Sequence, residues 1–338
     1  MKNMDNEKID FVILWVDGSD KKWLEEKNKY SSKKIDVTNA ANRYRDMGIL
    51  KYWFRSVEKF TPWVNKIHFV TWGHVPEWLN VNNPKINVVK HEEFIPKKFL
   101  PLFNSCAIEV NLHRIKGLAE KFVYFNDDIF ILKTIKKSYF FKNNLPCDLW
   151  RDNIQYCDKC SDPVFEHQLL NVKMLICRHF YKREVMKKYF SKCINPKYGK
   201  RNIRFLMLYK WPYMASFDNF HVSAPFLKST FEEVWEKEKD VLEQTSSAKF
   251  RTVNDVNQYT FQLWQIYSGK FEPKCHKNIG KFFSLSSDNE KLYNCIDNQL
   301  VEQICINDGN LNVDYEKITK ELQKHFEKIL PEKSSFEI

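Results

Sequence analysis

Asp127 and Asp128 follow Asn126 in the stretch "FVYFNDDIFIL" (122–132), where they interrupt two apolar runs that read as buried strand. Adjacent carboxylates at a strand end can hold a divalent cation, and hard oxygen donors suit Mg²⁺ or Mn²⁺, which in turn bridge a diphosphate. A second acidic group, Asp17-Gly18-Ser19-Asp20, closes the first apolar run; it reads equally as a turn, because Asp, Gly and Ser are ordinary turn formers. "NRYRDMG" sets Arg43, Arg45 and Asp46 just before a predicted helix, and "KFRTVNDVNQ" sets Arg251, Asp255 and Asn257 in a similar way. Guanidinium groups match phosphate oxygens in pairs, whereas salt bridges and helix caps account for the same residues without a ligand. Glu109, His113 and Lys116 fall at i, i+4 and i+7 of a predicted helix, an acid–histidine pair that could orient a base or a substrate hydroxyl, or simply be solvated. His221, in "NFHVSAP", suits proton transfer near neutral pH, with a structural imidazole as the alternative. Cys157 and Cys160, with Cys177 and His179 downstream, give half of a zinc-site spacing; the irregular second half favours independent thiols.

These groups need a frame. "IDFVILWV" (9–16), "KIHFVTW" (66–72), "INVVKH" (86–91) and "KFVYF" (121–125) read as strands, and helical spacing covers 48–60 and 106–120 between them. Strands alternating with helices predict an α/β fold, a Rossmann-like mixed sheet flanked by helices, with functional residues at the carboxyl ends of the strands. Residues 1–134 are expected to form the α/β core and 135–215, which lack clear periodicity, a variable insert. Helical spacing returns at 229–242 and 253–267, so 216–290 are expected to rejoin the core, and 291–338 form a charged helical tail. Its stripe of Ile318, Leu322, Phe326 and Ile329 predicts docking on the core, with membrane-surface binding as the alternative.

A net charge of +11 over 338 residues favours anionic partners. The chain has no GxGxxG, Walker A or GxSxG pattern, which argues against dinucleotide oxidoreductases, P-loop kinases and α/β-hydrolases. No apolar run approaches membrane-spanning length and nine scattered cysteines fit reduced thiols, so a cytoplasmic protein is expected.

Four blocks in order carry a resemblance. "IDFVILWVDGSD", "RYRDMGILKYWFRSVEKFTPWVNKIHFVTWGHVPEWLN" running on through "FVYFNDDIF", "FHVSAPFLKSTFEEVWEKEKDVLEQTSSAKFRTVNDVNQ" and "KFFSLSSDN" resemble the four conserved regions of the Stealth family. These are bacterial capsular-polysaccharide sugar-1-phosphate transferases, related to the lysosomal-enzyme N-acetylglucosamine-1-phosphotransferase α/β subunit. The resemblance implies a glycosyltransferase-A-like core and transfer of a hexose-1-phosphate, N-acetylhexosamine-1-phosphate by preference, from a UDP-sugar to a glycan hydroxyl with release of UMP. It implies catalytic roles for His221, Asp17, His113 and Arg251, with His221 the base and His113 with Glu109 positioning groups or the alternative base. It further implies substrate binding by Arg43, Asp46, Glu109, Asn126, Asp255 and Asn257, and Mg²⁺ held by Asp127, Asp128 and Asn289. The implied partners are a UDP-sugar and a glycan acceptor, not nucleic acid, with peripheral attachment at the inner membrane face or to export machinery left open. A glycosyltransferase releasing UDP and a non-catalytic glycan-binding protein are the competing readings.

Overall fold

The computed structural model describes residues 7–31, 44–157, 161–308 and 313–338; Arg43 and Cys160, both named above, lie outside them. Four parallel strands, β1 (Ile9–Leu14), β2 (Ile67–Thr71), β3 (Ile86–Lys90) and β4 (Lys121–Phe125), build the central sheet. Its order is Ala224–Leu227, β4, β1, β2, β3, and the Ala224–Leu227 edge strand runs antiparallel to β4. This is the mixed α/β sheet that the alternation of elements predicts. From β1 the chain winds one way through β2 and β3, whereas β4 lies on the other side of β1. The order therefore reverses between β1 and β4, and in open α/β sheets that reversal leaves a crevice beyond the strands' carboxyl ends.

Alternation along the strands supplies two cores. Val12, Phe122 and Tyr124 join the apolar cluster on one face, and Phe11, Ile13, Val123 and Phe125 join the cluster on the other. Beyond β4, Asn126–Asp128 lead into β5 (Ile129–Ile131), which leaves the central sheet altogether. β5 pairs antiparallel with Gln303–Asn307, itself parallel to Lys281–Ser284, in a second sheet of three strands. The polar triplet is thus the link between two sheets.

Several predicted elements are shorter or broken. The segment read as one helix over 106–120 is a helix at Ser105–Glu109 and a 3-10 turn at Leu112–Arg114. Asn111 explains the break: its Nδ2 donates to the Ala107 carbonyl and to Ser246 Oγ, and Gly117 then turns the chain with φ of 80°. The helix read over 229–242 is interrupted at Glu238, and the one read over 253–267 starts only at Tyr259. Residues 135–215 hold helices at Pro163–His179, Lys182–Lys188 and Arg201–Tyr209. Leu169, Val172, Leu175 and Ile176 of the first belong to the same apolar cluster as the central sheet.

The tail helix, Tyr315–Ile329, buries Ile318, Leu322, Phe326 and Ile329, and Phe326 stacks on Tyr52 with ring centroids 5.5 Å apart. Docking on the core is therefore how its stripe is used. Arg55 locks the tail: Nε and Nη2 donate to both carboxylate oxygens of Glu337 at 2.8 and 2.9 Å, and Nη1 donates to the Leu330 carbonyl at 2.8 Å. Arg55 is 6% and Glu337 4% exposed at the side chain, so removing Arg55 leaves the buried Glu337 carboxylate without its cation. Arg55→Ala is expected to lower the unfolding free energy by about 3–5 kcal/mol in urea titration; an unchanged midpoint would mean the fork adds nothing. Among the described residues no helix is long and apolar enough to cross a membrane.

Candidate active site

β1 and β4 lie side by side, with Ile13 opposite Phe125, so the loops after them open into the same crevice. In the first loop Asp17 Oδ1 accepts hydrogen bonds from Ser19 N at 2.8 Å and Ser19 Oγ at 2.6 Å, while Asp20 Oδ1 caps the helix Lys21–Tyr30 through Trp23 N at 2.7 Å. Asp20 is thereby a cap. The Asp17 amide donates to Nε2 of His74, from the loop after β2, at 2.8 Å. Gly18 lies against the segment carrying Asp46: a Cβ there would stand 2.0 Å from the Tyr44 carbonyl oxygen. Gly18→Ala is expected to push that segment outward and cut turnover at least about tenfold, measured as kcat/KM; wild-type turnover would dissociate the close approach from function.

The second loop carries the acids. Asp127 is open at the mouth of the crevice, yet its carboxyl is pushed up to about 7, first by the loss of water around it and then by the like charges of Asp128 and Asp46. The charge of Asp17 acts on Asp46 in the same sense. The side chain of Asp127 keeps solvent contact, so its two neighbouring carboxylates, Asp128 and Asp46, are the firmer cause. Asp128 differs. Its Oδ2 lies 3.2 Å from His221 Nε2 and accepts from Cys305 Sγ at 3.3 Å, whereas its Oδ1 is buried with no hydrogen-bond partner among the described residues.

From His221 a continuous polar chain runs inward. Asn126 Nδ2 lies 3.3 Å from Nε2, the Tyr124 hydroxyl donates to Asn126 Oδ1, and Glu109 Oε1 lies 3.1 Å from the same hydroxyl. Glu109 Oε2 accepts from the Gln258 amide at 3.1 Å. Burial raises the Glu109 carboxyl's pKa against the pull of Arg251, whose guanidinium donates to Ser105 Oγ at 2.6 Å. Burial alone would depress His221; the Asp128 and Glu109 carboxylates outweigh it and hold the imidazole above its ordinary value.

Asn126, Asp127, Asp128, Glu109, Arg251 and His221 are thus brought together, with Asp17 and Asp46 at the rim. Other predicted residues are used elsewhere. His113 packs on the rings of Phe231 and Trp235, and burial, with Arg114 and Lys228 nearby, pushes its pKa down to about 3. The helix break places it away from Glu109's partners. Asp255 ties its own loop by accepting from Thr252 N and Oγ1, both at 2.8 Å, and from Asn104 Nδ2 at 2.9 Å. Asn257 Oδ1 accepts from Tyr259 N at the start of the helix Tyr259–Tyr267. Asn289 closes a turn with Ser286, accepting from its amide at 3.0 Å and donating to its carbonyl at 2.7 Å. His179, the fourth residue of the zinc half-pattern, lies 2.7 Å from Glu238 Oε1.

The structure adds groups that spacing alone misses. Tyr124 stands two residues before Asn126 and so on its side of the strand, a signal hidden inside an apolar run. Cys305 comes from the second sheet and has no local signal. Arg45, which the sequence already set beside Asp46, is used in a fork with Asp308, at 3.0 and 2.8 Å, and stacks over Tyr315. Ligand atoms of Asp128, His221 and Cys305 lie within 4.8 Å of one another. Asp128 Oδ1, an orphaned carboxylate oxygen beside further acids, fits a hard divalent cation; the Cys305 thiol, already donating to Oδ2, does not add a hard donor.

The chain is similar to known proteins along its whole length. Family models described as Stealth protein conserved region 1 and conserved region 2 match residues 7–35 and 43–148. The chain is 42% identical to a capsular polysaccharide phosphotransferase WcwK of Streptococcus pneumoniae, covering 100% of this chain and 99% of that protein. It is 39% identical to the exopolysaccharide phosphotransferase cps2G of Lactiplantibacillus plantarum, over 97% and 96% of the two, and 37% identical to the receptor polysaccharide phosphotransferase WefC of Streptococcus oralis, over 98% and 99%. Among solved structures, an active-site mutant of LgtC overlaps 93% of this chain and 95% of its own at 13% identity and a TM-score of 0.37, too loose a likeness to argue from.

Proposed function

Because the chain belongs to the Stealth family, we propose that it is a sugar-1-phosphate transferase of capsular or exopolysaccharide synthesis, moving a hexose-1-phosphate from a UDP-sugar to a glycan hydroxyl. One observation carries the reading: the Asp128–His221 pair at the sheet's reversal point, backed by Asn126, Tyr124 and Glu109. Asp128 Oδ2 favours the tautomer with hydrogen on Nε2, so Asn126 Nδ2 adjoins that nitrogen without donating to it, and the lone pair on Nδ1 is left to take the acceptor's proton. The acceptor oxygen bonds to the β-phosphorus, the bond from that phosphorus to the bridging oxygen breaks, and UMP departs with the oxygen.

Asp127 and Asp128 would hold a divalent cation, Mg²⁺ or Mn²⁺, with Asp17 and Asp46 adjoining. Such an ion supplies charge neutralisation at the diphosphate. Arg251, partly buried and near enough to Glu109 to act on its carboxyl, contributes positive charge for the transferred phosphoryl group, and Glu109 fixes Tyr124 and through it Asn126. The enzyme is expected to work in the cytoplasm, where the glycan acceptor is its second partner.

Incubation with UDP-sugars, Mg²⁺ and acceptor, followed by separation of the nucleotides, tests the reaction. UMP in step with acceptor modification supports phosphotransfer; UDP would turn the enzyme into a glycosyltransferase, and no turnover with any donor would sink the reading.

A further inference from the structure

Helix Arg201–Tyr209 is apolar on two sides. Phe205 and Leu208 pack inward, while Ile203, Leu206 and Met207, at i, i+3 and i+4, form an outer stripe that is 61%, 60% and 77% exposed. Trp211 and Tyr213 extend it at 60% and 63%. Single exposed apolar residues are ordinary, but a continuous run with two amphipathic aromatics is not. Tyr213 meets Tyr181 edge-on at 5.8 Å, which joins the stripe to the helix Lys182–Lys188.

That neighbourhood is also the most basic part of the chain. Residues 181–214 carry ten Lys and Arg against the single acid Glu184, a net +9 out of +11 for the whole protein. Arg183, Lys187, Lys188 and Lys210 are exposed. An apolar stripe with Trp and Tyr at its end and lysines around it is what an interfacial helix presents to acidic headgroups. A second copy of the chain would bring two such charges face to face, and a nucleic acid would leave the aliphatic stripe unused.

We propose that this face docks on an anionic lipid bilayer, with Ile203, Leu206 and Met207 entering the headgroup boundary and the lysines pairing with acidic lipid. Nine residues of helix are too short to span, so attachment is peripheral. The same helix leans on the catalytic loop: Arg204 donates to Asp218 at 3.0 Å, and Asp218 lies three residues before His221. A glycan acceptor held at a membrane would therefore reach the base along the docked face. Only this last consequence rests on the transferase reading; docking itself is independent of turnover.

Flotation of the full chain with vesicles of phosphatidylcholine alone, or with about a third phosphatidylglycerol, tests it without substrate. Binding is expected only to the acidic vesicles. Leu206→Ser with Met207→Ser and Trp211→Ala should weaken it at least about tenfold, as should Lys187→Gln with Lys188→Gln, with melting temperature and transfer to a soluble acceptor unchanged. Met207→Ser alone, a single exposed change, serves as the second variant should the triple one fold poorly. Failure of the wild type to float overturns the proposal. So does undiminished binding of the apolar variants, which would mark a mere polyanion binder, or a dimer in solution that those variants dissolve.

Discussion

His221→Ala is expected to abolish phosphotransfer while leaving the UDP-sugar bound. The imidazole lies beside both Asp128 and Asn126, the outer end of the polar chain that runs through Tyr124 to Glu109. General-base assistance typically contributes about 10²- to 10⁴-fold, so kcat should fall by that factor with donor affinity within about twofold. His221 is only partly buried and its ring meets Phe282 edge-on at 6.3 Å, so alanine costs little packing and the melting temperature should hold. Single-turnover assays beside donor titration separate the two effects. Turnover near wild type would remove His221 from the mechanism, and a parallel loss of donor binding would make it a binding residue.

The two adjacent acids should not be equivalent. Asp128→Asn strips His221 of its carboxylate and changes the oxygen left without a partner, so a loss on the order of 10³-fold or more is expected, as for other acids that hold a catalytic imidazole. High Mg²⁺ should not restore it. Asp127→Asn leaves His221 paired, and its smaller deficit should shrink as Mg²⁺ is raised. Equal losses, both unrelieved by metal, would refute the division of roles.

The same acids give a pH signature in metal-stripped protein. The folded Asp127 carboxyl lies near 7 against an ordinary 3.8, so the folded state disfavours its ionisation. Stability that is complete below about pH 4 is then lost as pH rises towards 7. Asp127→Asn should flatten that slope in EDTA, and Mg²⁺ should do the same for the wild type; a slope unaltered by either would place the repulsion elsewhere.

Strand ends were legible in the sequence because turn-forming acids break long apolar runs. That is how "DGSD" and "NDD" could be assigned to one edge before any coordinate. Periodicity was less informative. Glu109 and His113 share a face only if the helix continues, and Asn111, whose amide competes for the Ala107 carbonyl, decides that it does not. Asn257 has the composition of a ligand and instead closes a local turn onto the Tyr259 amide, because both functions draw on the same short polar side chain. Cys305 reaches Asp128 across 177 residues of chain, a pairing that depends on the small sheet's register and has no trace in local spacing.

The triplet that links the two sheets has a thermal consequence. Asp128 is held from the small sheet, where its carbonyl accepts from Ile306 N at 2.8 Å and its carboxylate from Cys305, while Asn126 is held by Tyr124 of the central one. The outer strand of the small sheet, Lys281–Ser284, is largely exposed, so that sheet opens from its edge more readily than the five-stranded one packed on both faces. Fraying of that minor sheet would carry Asp128 off the imidazole while most of the molecule stayed intact. Heat inactivation is then a local event that runs ahead of global melting, and amide exchange at the exposed edge strand Lys281–Ser284 is where it should first be seen.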